Sequence, residues 1–134
     1  MKKIYLILIL CISLLVLCAC GGNVSNVYVE PYQSNIYSNQ EIDDAINEIK
    51  QYFQVEFSGC TLTTITYAGD AEAQEWVDWA RQNNADEVIV LTSSFDVDAS
   101  GGDGSLNPNS TYNNWLWILV RDNGGKWRHA DHGY

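Results

Sequence analysis

Positive charge is scarce in this chain: seven Lys and Arg stand against 17 Asp and Glu, for a formal net charge of -10. A surface that binds the phosphate backbone needs clustered Lys and Arg to displace counterions, so nucleic acid is excluded as a partner. Direct electrostatic attraction to anionic lipid is disfavoured on the same ground. Cysteine is scarce where it could crosslink. Of four, Cys11, Cys18 and Cys20 fall in the first twenty residues and Cys60 stands alone beyond them. The two histidines, His129 and His132, both lie at the far end. No internal repeat is present, so solenoid architectures are excluded.

What is present begins with Lys2 and Lys3, an uncharged apolar run from Ile4 to Ala19, and then Cys20-Gly21-Gly22. This is the layout of a secretory signal peptide, and its run falls short of the roughly 20 residues a spanning helix needs. The segment "LCAC", with Leu17 three residues before Cys20 and the small Ala19 just before it, resembles the lipobox of bacterial lipoproteins. Cys18 departs from the commoner small residue at its position. The resemblance implies cleavage after Ala19, a diacylglyceryl thioether on Cys20 and a further acyl chain on the new amino terminus. Each buried methylene contributes ~0.8 kcal/mol, so more than one acyl chain anchors stably where one alone does not. The expected location is the extracytoplasmic face of the cell membrane. With Cys20 consumed by lipid, Cys60 has no partner for an intramolecular disulfide.

Residues 1–19 are thus assigned to a signal peptide, residues 20–37 to the lipidated Cys and a flexible tether, and residues 38–134 to one domain. The tether is polar, contains Pro31 and lacks a sustained period; extended, it would reach roughly 55 Å. The domain opens on a helix. Ser38 and Glu41 form a capping box, with Tyr37 and Ile42 at the staple positions. Ile42, Ala45, Ile46, Ile49 and Phe53 then recur at helical spacing. "CTLTTITY" (60–67) reads as a strand carrying a bulge, because Leu62 and Ile65 fall on opposite faces. Asp70 is placed as the cap of a second helix whose Ala73, Trp76, Val77 and Ala80 share a face and which Asn83-Asn84 ends. Three strands follow, at 86–97, 111–121 and 126–134, the last two joined at "DNGG" by a tight hairpin. The order α-β-α-β-β-β predicts an α+β domain with an antiparallel sheet packed on helices.

In "WLWILV", Trp115, Trp117 and Leu119 alternate with Leu116, Ile118 and Val120, so both faces of that strand seek cover. Two helices on opposite faces would supply it. Two on one face would leave an aromatic surface, with Trp115 and Trp117 as its contact residues, for a protein, a small molecule or a second copy of the chain.

The helix-first order, the long hairpin and Trp127 shortly before the terminal "GY" resemble the small cystatin-like, NTF2-like α+β domains, which implies a curved sheet around a helix. More narrowly, "GCTLT", "SSFDVD", "GGDGSLNPNSTY" and "W-x-W-I-L-V-R" resemble uncharacterised small lipoprotein domains of Gram-positive bacteria. That likeness covers most of the chain after Cys20 and brings no activity with it. The broader fold hosts isomerases, dehydratases, immunity proteins and non-catalytic binders alike, so shape does not choose among them.

Two stretches carry candidate chemistry. In "FDVDASGGDGSLNPN", Asp96, Asp98 and Ser100 have the spacing that opens an EF-hand loop, and with Asp103 they form the candidate calcium site. The stretch follows a strand, however, has Asn107 where the closing Glu would stand, and has Leu106 where a β-roll repeat needs Asp. The other reading is a long connection of about a dozen residues, a length usually reserved for contact loops. In "WRHADHGY", alternation puts His129 and Asp131 on one strand face and His132 on the other, which makes His129 and Asp131 the candidate acid and base. No nucleophile or metal motif accompanies them, and solvated polar residues on an edge strand would look the same. Cys60 reads as a small buried residue rather than a reactive thiol. The chain is therefore expected to be a membrane-anchored, non-catalytic binding or interaction module. The alternatives are a small-molecule enzyme with an NTF2-like cavity and a calcium-stabilised structural domain.

Overall fold

The computed structural model describes residues 21–134; the segment expected to be a signal peptide and Cys20, the expected lipid acceptor, lie outside the described residues. The architecture is α+β: a five-stranded mixed, curved sheet and three helices. In chain order these are β1 (Tyr28–Val29), α1 (Asn39–Glu56), β2 (Cys60–Tyr67), α2 (Asp70–Glu75), α3 (Val77–Gln82), β3 (Glu87–Val97), β4 (Thr111–Arg121) and β5 (Arg128–Gly133). The strands lie in sequence order across the sheet, with β1 parallel to β2 and every later pair antiparallel. No helix among the described residues is long and apolar enough to cross a membrane.

Helix α1 forms where its signals place it. Ser38 Oγ accepts the Glu41 amide while the Glu41 carboxylate accepts the Ser38 amide, which satisfies two N–H groups the helix start leaves over. Ile42, Ala45, Ile46, Ile49 and Phe53 are all buried against one face of the sheet.

The segment assigned to a flexible tether is docked instead, and this corrects the expected order. The Gly22 amide donates to Gln54 O, Asn23 bridges Thr61, and Tyr28–Val29 add the edge strand beside Thr64–Ile65. Val24, Val27, Val29 and Tyr32 pack on the main core. Gly22 permits the approach, because a Cβ there would overlap the Phe53 backbone and ring. Polar sequence hid this docking because backbone hydrogen bonds, not a hydrophobic period, hold the segment.

The second helix also differs. It breaks at Trp76 into α2 and α3, and Asp70 caps neither. Its carboxylate instead accepts from Ser34 Oγ, the Asn35 amide and Tyr67 Oη, fastening the docked segment to the end of β2. Those three donors hold Asp70 below the usual carboxylate range. Ala73, Trp76, Val77 and Ala80 do face the protein, as their spacing indicates.

The two faces of β4 are covered separately. Trp117 and Leu119 belong to the core under α1, and Ile118 and Val120 to a smaller cluster with Ala80, Ala85, Val88 and Val90. An open aromatic face therefore does not form. Trp117 has no exposed surface and its indole N–H donates to Ser93 Oγ, so it is a core residue and not a contact residue.

Three bulges curve the sheet around α1. Thr63 is the extra residue on β2, as the odd spacing of Leu62 and Ile65 requires. Asn113 and Asn114 face Ser94 across β3 and β4, with Asn114 at φ 57°. Ala130 is the extra residue on β5. The β4–β5 connection is longer than a tight hairpin: Gly125 closes a turn onto Asp122, and Trp127 leaves the strand to bury itself under α1.

Candidate functional site

The bulge at Ala130 decides which groups meet. Ile118 faces Asp131, whereas Leu119 faces His129 and Trp117 faces His132. Since Trp117 and Leu119 point to the main core, both imidazoles turn toward α1 and Asp131 goes to the other side. The alternation that pairs His129 with Asp131 is thus overturned. His129 Nε2 lies 3.0 Å from His132 Nδ1, while the exposed Asp131 carboxylate accepts the His132 backbone amide.

Around these imidazoles the aromatic side chains form a continuous wall. His129 stacks on Tyr52 with centroids 3.9 Å apart, and His132 lies edge to face against Phe57 at 5.4 Å and stacked near Trp115 at 5.8 Å. Burial, together with the neighbouring His132 charge, lowers the His129 pKa; burial lowers that of His132. Both rings are thereby biased toward the neutral form.

A cavity of about 240 Å³ opens between the C-terminal end of α1, the loop after β3, and strands β4 and β5. Tyr52, Phe57, Trp115 and His132 supply its aromatic surface, Leu106 and Gly102 its loop side, Cys60 its thiol, and Glu56 and Asp103 its charges. The Trp115 indole nitrogen is the one buried side-chain polar atom without a hydrogen-bond partner among the described residues. An orphan of this kind is unusual in a native core, and the side chain that carries it borders the cavity. Cys60 is free and buried, and burial, helped by the charges of Asp98 and Asp103, pushes its thiol up to about 11. It is protonated at neutral pH, so it is not a poised nucleophile.

The loop of residues 98–110 is folded rather than slack. The Asp98 amide donates to Gly59 O, Asn109 N–H donates to Asp98 O, and Leu106 packs on the core. Gly59 and Gly101, both at φ 72°, take turns that other residues adopt with strain. The candidate calcium ligands do not converge here. Asp98 accepts the amide and hydroxyl of Ser100, Asp103 those of Ser105, and Asp96 the hydroxyl of Thr111. Among the described residues no three His, Cys, Asp or Glu side chains gather into a group that could hold a metal ion.

Of the residues the sequence singles out, the structure brings Trp115 and Asp103 to this cavity and His129 beside it, while Asp131, Asp96 and Trp117 lie elsewhere. Sequence reasoning passed over Glu56, Phe57 and Ser58 because they read as the fading end of a helix, and His132 because no pattern marks the bulge. No family model matches this chain, and neither a curated protein nor a solved structure matches it.

Proposed function

We propose that the protein is a lipid-anchored, extracytoplasmic binding module with an NTF2-like body, and that the cavity between α1 and β5 is its binding site. One observation carries this reading. The cavity wall combines aromatic surface with polar side chains, and Trp115, the one residue among those described whose buried side-chain nitrogen lacks a hydrogen-bond partner, is part of that wall. Small-molecule sites have this composition, an apolar concavity with a few convergent polar groups. The protein purified from its own membranes should show, by intact mass, the acyl chains on Cys20. Native mass spectrometry of the same preparation should show a bound small molecule that Trp115→Ala loses. Wild-type and Trp115→Ala proteins carrying the same adducts, or none, would remove the cavity from the reading.

A second reading, a small-molecule enzyme, is favoured by the His132 ring at the cavity edge, which is biased toward the protonation state of a general base. It would act without Asp131, which lies across the sheet from it.

A further inference from the structure

Within that reading, and resting on it, we infer that the cavity takes an organic ammonium ion carried on a small apolar stem. Two observations point the same way. Among the described residues the only full charges that border the cavity are the carboxylates of Glu56 and Asp103, and no Lys or Arg borders it. Arg121 and Lys126 line a separate depression that also holds Glu41, Asp44 and Trp127, and Lys50 of α1 borders neither. The floor is aromatic. Tyr52, Phe57 and Trp115 present π-surfaces at steep mutual angles, 58° between Tyr52 and Phe57 and 84° between Phe57 and Trp115. An aromatic floor with negative charge at its rim attracts a cation through the ring quadrupoles and repels an anion. The imidazole of His132, biased toward its neutral form, adds a wall without opposing the cation. A cavity of about 240 Å³ accommodates an amine of about ten non-hydrogen atoms, or the ammonium end of a longer molecule.

The docked N-terminal segment sets where this cavity stands. Gly22 bonds to Gln54 and Asn23 to Cys60, and Cys60 itself borders the cavity. A lipid on Cys20 would hold this end of the domain at the bilayer with almost no spacer. Two sources of the cation follow: the ammonium headgroup of a membrane lipid, or a free amine near the membrane surface.

The test uses the full chain in neutral detergent, titrated calorimetrically with phenethylammonium and with 3-phenylpropionate as the anionic counterpart. Phenethylammonium should bind at least 10-fold more tightly. The double variant Glu56→Gln, Asp103→Asn should lose about 5- to 10-fold of that affinity at low salt, and Trp115→Phe should retain most of it. Competition by dihexanoyl phosphatidylethanolamine, and not by dihexanoyl phosphatidylglycerol, would assign the headgroup; binding of phenethylammonium that neither lipid disturbs would assign a free amine. Equal affinity for the anion, or no binding of phenethylammonium by protein whose thermal unfolding is intact, overturns the inference. The two readings fail separately: a native adduct that is neutral or anionic and disappears in Trp115→Ala would keep the binding site and remove the cation.

Discussion

The two ends of α1 meet the same sheet under opposite rules. At the N-terminal end Arg121, 5% exposed, donates through Nε to Glu87 at 2.7 Å and through Nη2 to Glu41 at 2.6 Å, and its guanidinium lies 4.1 Å from the Trp127 ring centroid. Trp127 in turn donates its indole N–H to Glu41 O, and the Glu87 carboxylate accepts the Gly124 amide. Bonding to Arg121 holds both Glu41 and Glu87 below the usual carboxylate range. Every strong polar group there has a partner. At the C-terminal end an indole N–H has none, a buried thiol touches a cavity, and two imidazoles share one contact. A buried charge demands full pairing, which closes the polar network of the first end although a depression of about 470 Å³ borders it too; aromatic side chains make no such demand, and at the second end that network stays open. Binding is therefore sought at the open end and stability at the closed one.

The largest effect should come from breaking the closed end. Arg121→Met would leave Glu41 and Glu87 facing each other without their shared cation and should lower unfolding free energy by about 3 kcal/mol. That is the low end for a broken buried pair, because both carboxylates are about a third exposed. Glu56→Gln at the rim of the open end should move stability by no more than about 0.5 kcal/mol. Urea denaturation of both variants measures the difference directly, and losses of equal size would erase the distinction between the ends.

A smaller effect should sharpen the comparison through pH. Burial depresses the folded pKa of His129 and His132 below the unfolded value, with the His132 charge adding to the shift at His129. A group whose folded pKa is depressed leaves the unfolded chain holding more protons, so its contribution is complete above the unfolded value of about 6.5 and is lost as pH falls through the folded value. The melting temperature should accordingly fall between pH 7 and pH 5, and His129→Gln with His132→Gln should flatten that slope. The closed end answers in a different window. Glu41, Glu87 and Asp70 are also depressed, but from carboxylate values, so their contributions persist to about pH 4 and vanish only below it. A slope between pH 7 and 5 that survives the double His variant would show that the imidazoles are not its source.

How much of this was legible follows from what each residue signals locally. α1 announced itself twice, by the capping box at Ser38 and by the spacing of Ile42 through Phe53, and β4 displayed its two apolar faces. The bulge at Thr63 was legible because Leu62 and Ile65 are apolar and must share a face. The bulge at Ala130 was not, since β5 is polar and no apolar residue there reports a change of phase. The His pair depends on that bulge, so it could not be read ahead of it. Asp70 misled for a related reason: its position before a helix is that of a cap, while two of its three donors, Ser34 and Asn35, sit some 35 residues away. The cavity collects residues from one helix end, one loop and two strands, a conjunction that no single stretch encodes.

The smallest effect should be that of calcium on the loop that walls the open end. A calcium site needs six to eight oxygens free to turn inward on one ion. Here Asp98 and Asp103 each close a local turn onto the serine two residues on, and Asp96 is held by Thr111 across the strand pair. Bringing the three together would break those bonds and also the Asp98 contacts to Gly59 and Asn109 that fix the loop to the sheet. A ligand of the folded state alone raises stability in proportion to how far its concentration exceeds its dissociation constant, so a site that must first dismantle its own loop binds weakly and shifts little. The melting temperature in millimolar calcium should therefore match that in chelator to within about a degree. A rise of several degrees that Asp96→Asn with Asp98→Asn abolishes would instead make this loop a metal site, and the negative rim of the cavity would then be partly neutralised whenever calcium is bound.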